Sequence, residues 1–140
     1  YIHSLLGSRN DYYDKTVSGL PRRINREKLE YSYLKEQLTE DTNRREIFRE
    51  MIRRLQIRRA ESAFSPLARQ EVLNLDSRIL ALVRENPQTN SKICVLVNVS
   101  GDSVGLSLPE VRGENLLGQE FVDGSIDLKP WECAWIRQEI

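Results

Sequence analysis

The hydrophobic pattern of the chain changes near Pro66. Before this residue, apolar side chains recur at helical spacing, as they do at Ile47, Met51 and Leu55. After Ala68 they alternate with polar residues or form short apolar runs, which is typical of β-strands. The change predicts a domain boundary near Pro66, with a helical part over residues 1–66 and a β-domain over residues 67–140.

Two helices are predicted in the first part. One runs from Ser32 to Thr39 and places two leucines on one face. The other runs from Asn43 to Arg59, carries an apolar stripe and has a candidate capping box, with Asn43 and Glu46 three residues apart. Pro66 rules out any continuation of the second helix past that point.

The opening segment combines a short apolar run with a long polar loop. Tyr1 to Leu6 has the composition of a buried parallel strand, although a run of this length does not by itself separate strand from helix. Residues 8–24 have no period and contain several turn-forming residues, so they are predicted to be loop. Because long aperiodic loops are uncommon in compact domains unless they are functional or disordered, we expect the chemistry of the chain here.

Five segments of the second part have the pattern of strands, and short turn-forming sequences separate them. The strands are predicted at Gln70–Asp76, Arg78–Glu85, Lys92–Val99, Val104–Leu108 and Ile126–Arg137, and the turns include Asn86-Pro87, Ser100-Gly101-Asp102, Arg112-Gly113 and Asp123-Gly124-Ser125. No helical pattern lies between them. Strands joined in this way predict an antiparallel sandwich or a small barrel.

Composition excludes several classes of function. The formal net charge is +0, so no global field favours nucleic acid or an anionic membrane as a partner. No apolar run is long enough to cross a bilayer and the N-terminus lacks the layout of a signal peptide, so a cytoplasmic protein is expected. His3 is the only histidine, and neither Cys94 nor Cys133 lies in a ligand-spaced pair, so no metal or cofactor is predicted. Free buried thiols are favoured over a disulfide.

Three stretches carry a resemblance to a known family. The sequences YIHSLLGSRNDY, from Tyr1 to Tyr12, and RRINREKL, from Arg22 to Leu29, resemble the end of the catalytic barrel in the sucrose phosphorylase group of the alpha-amylase superfamily. SIDLKPWECAWIR, from Ser125 to Arg137, is similar to the last strands of the β-domain that follows that barrel. The resemblance implies an α+β fragment, in which the last strand, loop and helices of a (β/α)8 barrel precede a small antiparallel β-sandwich.

The resemblance also implies a reaction. A retaining glycoside phosphorylase transfers a glucosyl group from an α-glucoside, such as sucrose, glucosylglycerol or glucosylglycerate, to inorganic phosphate. In this family the catalytic carboxylates lie on upstream strands, so no acid of this chain is assigned a catalytic role. The implied partners are the glucoside, phosphate and the preceding barrel residues, and the 140-residue chain is expected to be inactive alone.

The resemblance assigns candidate substrate-binding residues to the opening loop. Arg22 matches by motif position the arginine that binds the far hydroxyls of the glucosyl unit, a task suited to the planar donor fork of a guanidinium. Arg23 stands where relatives often carry a small or acidic residue, so an exchange of roles between the two arginines stays open. Asn10 and Asp11 match the loop motif, and two interpretations are open for them: substrate binding, or fixing the loop through Asx turns.

Two alternatives come from other segments. Trp131 and Trp135 are four residues apart, and on one strand they would share a face, as in a carbohydrate-binding module; packing within the β-domain is the other interpretation. The arginine-rich helix from Asn43 to Arg59 has the pattern of a helix that binds nucleic acid, a membrane surface or a partner. Because the overall charge is balanced, we favour a packed helix whose arginines pair with acids.

Overall fold

The computed structural model describes residues 2–20, 25–40 and 42–139. The chain forms two compact units, Tyr1–Leu55 and Gln56–Ile140. The second unit contains a six-stranded sheet, and the first contains mainly helices. The division predicted near Pro66, between a barrel part and a β-domain, stays a prediction.

The N-terminal elements are four helices and a two-stranded ladder. They are α1 (Ile2–Leu5), β1 (Asn10–Asp11), α2 (Tyr13–Ser18), β2 (Asn25–Arg26), α3 (Tyr31–Thr39) and α4 (Asn43–Ala60). The two long helices predicted from the sequence are confirmed, each within one residue of its predicted ends.

The caps of α3 and α4 differ from those expected. The Glu30 carboxylate accepts hydrogen bonds from the backbone N–H groups of Ser32, at 3.2 Å, and Tyr33, at 2.9 Å. The Ser32 hydroxyl and these N–H groups lower the pKa of Glu30, because all of them stabilise its charged form. At α4 the hydroxyl of Thr42, rather than an Asn43 capping box, accepts from the Arg45 N–H at 3.3 Å.

The strand predicted at Tyr1 to Leu6 is wrong for the residues that the structure describes. Ile2–Leu5 form α1, closed by hydrogen bonds from Leu6 N–H to the Ile2 carbonyl, at 3.0 Å, and from Ser8 N–H to the His3 carbonyl, at 2.9 Å. A strand needs a neighbour for its backbone groups, and no strand of the described chain pairs with this segment. A helical turn satisfies these groups locally. The Nδ1 of His3 forms a hydrogen bond with the Ser8 hydroxyl at 3.0 Å.

The second unit is built on one antiparallel sheet. After a short 3₁₀-helix (Ser62–Phe64), its strands are β3 (Arg69–Leu73), β4 (Ile79–Asn86), β5 (Ser91–Asn98), β6 (Val104–Asn115), β7 (Phe121–Leu128) and β8 (Cys133–Gln138). Their order across the sheet is β3-β4-β5-β8-β6-β7, and every neighbouring pair is antiparallel. The predicted antiparallel class is therefore confirmed.

Hydrogen bonds join all six strands into one continuous sheet, and the choice between a sandwich and a small barrel stays a prediction. The cause of this continuity is the length of β6, which has 12 residues: residues 104–107 and 112–114 pair with β7, and residues 113–115 pair with β8. This junction joins the hairpin β6-β7 to the other four strands by hydrogen bonds. Sequence alone does not show it, because a strand's partner is set by distant residues.

Two predicted turns lie inside strands. Arg112-Gly113 is part of β6 and Asp123-Gly124-Ser125 is part of β7, and Gly113 pairs with Val122. A Cβ on Gly113 would lie only 1.9 Å from the carbonyl oxygen of Arg137 on β8, so glycine permits the close approach of two strands here. Near Gly124, which has φ +75°, the register shifts in a β-bulge.

Apolar residues on both faces of β5 are buried. Cys94 and Leu96 belong to the large core, which also takes side chains from β4, β6, β7 and β8. Ile93 and Val95 face a smaller cluster that includes Ala63 and Trp135. This two-sided burial explains why β5 reads as a continuous apolar run. Burial also raises the pKa of the Cys94 thiol to about 11.

A buried asparagine joins two turns of the second unit. Asn98 is 1% exposed, and its Nδ2 donates to the carbonyls of Asp102, at 2.6 Å, and Lys129, at 2.9 Å. Its Oδ1 accepts from the backbone N–H of Ser100 at 3.0 Å. One side chain thereby satisfies backbone groups of the β5–β6 turn and of the β7–β8 turn.

Gly113→Ala should destabilise the protein by about 3 kcal/mol, because the new methyl group overlaps the Arg137 carbonyl and the strands must separate. Gly101→Ala is the matched control: nothing lies within 4 Å of its Cβ position, and we expect a change below about 1 kcal/mol. Urea unfolding of both variants measures the free energies. Equal stabilities would contradict the close approach of β6 and β8.

Asn98→Ala should lower the free energy of unfolding by about 2–3 kcal/mol, because buried carbonyls lose their donors. Asn98→Asp keeps the side-chain volume but removes the N–H donors, so it should also destabilise the fold at neutral pH. The exposed Asn74→Ala serves as the control in the same urea experiment. A loss in Asn98→Ala that Asn98→Asp fully restores would assign the effect to volume instead of hydrogen bonding.

Candidate functional site

The candidate site is the base of the loop between β1 and β2. Asn10 and Asp11 form β1, where Asn10 pairs with Arg26 and Asp11 pairs with Asn25. Arg22 and Arg23 lie outside the described residues. We call residues 9–11, residues 25–27 and Arg44 together the loop base, because they form or hold the two chain segments that lead into the loop.

Both side chains of β1 make contacts within the loop. The Oδ1 of Asn10 accepts a hydrogen bond from the guanidinium of Arg26, and its Nδ2 donates to the Tyr12 hydroxyl at 3.2 Å. The Oδ1 of Asp11 accepts from the backbone N–H of Tyr13 at 2.9 Å, where α2 begins. This contact has the geometry of an Asx turn. The assignment of Asn10 and Asp11 to substrate binding stays a prediction.

Glu27 connects both ends of the loop. Its backbone N–H donates to the Arg9 carbonyl at 3.1 Å, which joins the segment after β2 to the segment before β1. Its carboxylate receives the Arg44 guanidinium at 2.5 Å. The hydrogen bond from Arg44 is the main reason why the pKa of Glu27 is lowered, so Glu27 is ionised at neutral pH.

Arg44 reaches three other segments of the first unit. Its Nη2 bonds Glu27, its Nη1 donates to the Leu6 carbonyl at 2.7 Å, and its Nε donates to the Gln37 side chain at 2.8 Å. Only 12% of its side chain is exposed. The rigid fork of a guanidinium allows these three divergent bonds at once. A cleft of about 300 Å³ beside the loop base is lined in part by Arg9, Gln37 and Arg44.

Sequence reasoning missed Arg44 and Glu27 as members of this site. The sequence pattern placed Arg44 among the arginines of α4 and Glu27 within the motif RRINREKL, and neither was predicted to contribute to a site. A signal was nevertheless present: Arg44 lies in the first turn of α4, where the helix dipole disfavours a cation. An arginine at such a position calls for a specific anionic partner.

The two tryptophans do not share a strand. Trp131 lies in the turn between β7 and β8, with φ 62° and 68% of its surface exposed. Trp135 lies on β8, and its ring centroid is 4.9 Å from that of Phe64. The prediction of a common face is wrong, because the turn at residues 129–132 divides the segment that was expected to be one strand. Trp135 instead belongs to the smaller apolar cluster of the second unit.

Several arginines of α4 are paired with acids. Besides the pair of Arg44 with Glu27, Arg53 lies 3.0 Å and Arg54 lies 3.8 Å from the Glu50 carboxylate. The hydrogen bond from Arg53 lowers the pKa of Glu50. These contacts agree with the expected pairing of charges, whereas the packing of the apolar stripe stays a prediction, because α4 contains no buried residue.

Groups of metal ligands and membrane-spanning helices are both absent from the part of the chain that the structure describes. No three or more histidine, cysteine or acidic side chains there are grouped as metal ligands. The described helices also include none that combines the length and apolar character needed to cross a bilayer. Cys94 and Cys133 are free thiols; Cys94 is buried, as expected, whereas Cys133 is half-buried.

Comparisons with known proteins identify relatives that match between 71% and 98% of this chain. No family model matches. A glucosylglycerate phosphorylase from Escherichia coli (strain K12) is 30% identical over 139 residues, which are 98% of this chain and 25% of that protein. One from Allomeiothermus silvanus is 33% identical over 140 residues, 97% of this chain and 23% of that protein. One from Spirochaeta thermophila is 38% identical over 101 residues, 71% of this chain and 17% of that protein.

Solved structures show a similar fold. AmyP in complex with maltose matches 71% of this chain and 22% of its own, with a TM-score of 0.61 and 14% identity. The trehalulose synthase MutB from Pseudomonas mesoacidophila MX-45 matches 76% of this chain and 20% of its own, with a TM-score of 0.59 and 16% identity. At these identities the likeness concerns the fold alone.

In each of these comparisons the chain matches only a small part of the other protein. The chain spans about a quarter or less of the curated relatives and about a fifth of the solved structures. The three curated relatives are all glucosylglycerate phosphorylases, which agrees with the phosphorylase group that the motifs of the opening loop and of the last strands resemble. The chain is thus a relative of the glycoside phosphorylases of the alpha-amylase superfamily, and it corresponds to their C-terminal portion.

Proposed function

We propose that the chain is the C-terminal portion of a retaining glycoside phosphorylase that acts on glucosylglycerate. The observation that carries this proposal is the similarity of nearly the full chain to glucosylglycerate phosphorylases, over 98% and 97% of its length. In the reaction, the glucosidic bond breaks, glycerate leaves, and phosphate bonds to the anomeric carbon. The products are glycerate and glucose 1-phosphate, with the α configuration retained.

The catalytic carboxylates belong, in this proposal, to a preceding part of the same polypeptide. That part is the main partner of the chain, and the β-domain follows it in a soluble, cytoplasmic enzyme. Residues 8–66 supply the substrate loop and the helices that end the barrel. The 140-residue chain alone is therefore expected to bind substrate weakly and to be inactive.

Arg22 is the residue of this chain proposed to hold the glucosyl unit. A guanidinium donates paired hydrogen bonds to vicinal hydroxyls, which fixes the sugar ring in orientation as well as position. Asn10, Asp11 and Arg26 support this role from the described part of the loop, since they pair its two arms. Arg23 is the alternative for the same task.

The test uses an enzyme that joins this chain to the preceding polypeptide. We expect it to release glucose 1-phosphate from glucosylglycerate and phosphate, and to act more slowly on sucrose and glucosylglycerol. A coupled assay for glucose 1-phosphate measures all three reactions, and the isolated chain is the negative control. Absence of the product with every glucoside would contradict the proposed function.

Arg22→Ala should lower kcat/KM about 100-fold, because the loss of charge-assisted hydrogen bonds amounts to ~3 kcal/mol. Arg23→Ala is the adjacent control, and we expect it to change kcat/KM less than about fivefold. Steady-state kinetics with glucosylglycerate measures both effects. The reverse order of the two variants would assign the sugar contact to Arg23, and two unaffected variants would remove both from the site.

A further inference from the structure

The pairing of the two loop arms is short. β1 and β2 share only the pairs Asn10 with Arg26 and Asp11 with Asn25. A two-stranded ribbon of this size is marginally stable in water. Its register therefore needs support from outside the ladder.

Glu27 supplies support next to the ladder. Its backbone N–H donates to the Arg9 carbonyl at 3.1 Å. This contact extends the pairing of the arms by one position beyond Asn10 and Arg26. The carboxylate of the same residue receives the Arg44 guanidinium, and a charge-assisted hydrogen bond of this kind is strong and directional.

Arg44 connects Glu27 to the helices. The guanidinium binds the end of α1 through the Leu6 carbonyl and binds α3 through Gln37. Arg44 itself is part of α4, so three helices and the loop meet at one side chain. Its polar contacts to the described arms run through the Glu27 carboxylate, which is 2.5 Å from Nη2.

The energetics favour a geometric role for this pair. The pair is partly buried, with 12% of the Arg44 and 26% of the Glu27 side chain exposed, so desolvation offsets part of its attraction and makes it a poor device for stability alone. The first turn of a helix is also an unfavourable place for a cation. Arg44 lies at such a position, and its Nε, Nη1 and Nη2 atoms each form a hydrogen bond. This arrangement fits a role in orienting the segments that it contacts.

We propose that Arg44 is a positioning residue for the glucoside: through Glu27 it holds the two arms of the substrate loop in register. This inference rests on the proposed function, because the loop is the segment that would hold the glucosyl unit. Arg44 itself is not expected to touch the substrate.

Kinetics of the joined enzyme test the role. Arg44→Gln and Glu27→Gln should each raise the KM for glucosylglycerate about 10- to 100-fold with a smaller effect on kcat, because misplaced loop arms weaken ground-state and transition-state binding alike. Arg44→Lys keeps the charge but lacks the fork, so it should restore little of the affinity. The double variant should be no worse than the worse single variant, since the two residues act as a unit.

Arg53→Gln is the matched control. Arg53 lies on the same helix and pairs with Glu50, but both side chains are more exposed, at 38% and 52%. We expect its KM to equal that of the wild-type enzyme. Thermal unfolding of every variant separates a lower content of folded enzyme, which reduces kcat only, from a change in KM.

Hydrogen exchange of the joined enzyme without substrate gives a readout that does not depend on activity. Arg44→Gln should speed exchange of the Glu27 amide, which bonds the Arg9 carbonyl, at least 10-fold. Amides of the sheet in the second unit, such as those of β5, should keep their rates. Arg53→Gln should leave all of these amides unchanged.

The outcomes separate the two proposals. If the wild-type joined enzyme makes no glucose 1-phosphate, the proposed function fails, and the positioning role fails with it whatever the exchange rates are. If the wild-type enzyme is active but Arg44→Gln leaves KM unchanged, or leaves the Glu27 amide protected, the positioning role alone is overturned. An equal rise of KM in Arg53→Gln overturns it as well.

Discussion

Glu27 bonds one arm of the loop through its backbone N–H and a helix through its carboxylate, which receives the Arg44 guanidinium, and the arrangement of the loop base depends on these contacts. Polar groups removed from water need partners, and a charged group needs them most. Glu27 and Arg44 meet this requirement for each other and, at the same time, for the carbonyls of Arg9 and Leu6. The second unit solves the same problem with Asn98, whose amide serves backbone groups from two turns.

Local patterns in the sequence predicted what local forces decide. The 18-residue helix α4 follows from its apolar spacing, and β5 follows from an apolar run that is buried on both faces. Predictions that depended on distant partners did less well. The segment from Tyr1 to Leu6 has the composition of a strand, but a strand forms only where another strand lies beside it. Gly113 was predicted to lie in a turn, because the sequence does not show that the Arg137 carbonyl is close to it. Trp131 lies in the turn before β8 and not in the strand that was predicted for it.

The candidate site likewise contains residues that the sequence indicated and residues that it did not. Motif resemblance pointed to Asn10 and Asp11, which lie at the loop base, and to Arg22 and Arg23, whose positions are outside the described residues. It did not point to the pair of Glu27 and Arg44, which are 17 residues apart and lie on different elements. A motif marks which residues recur together, whereas an ion pair requires that two chain segments meet. The unfavourable place of Arg44 in its helix was the one hint available from chemistry alone.

The value of such a pair for a binding loop lies in when the loop becomes ordered. Fixing the backbone of one residue costs roughly 1–2 kcal/mol of conformational entropy, so a loop that orders only on binding subtracts several such terms from the affinity for its ligand. The short ladder of β1 and β2 offers little to offset this cost. Bonds from Glu27 and Arg44 move the ordering of the loop arms from the binding step to the folding step. In the proposed enzyme, a sugar would then meet arms that are already in register, and its hydrogen bonds would contribute to affinity instead of to the ordering of the loop.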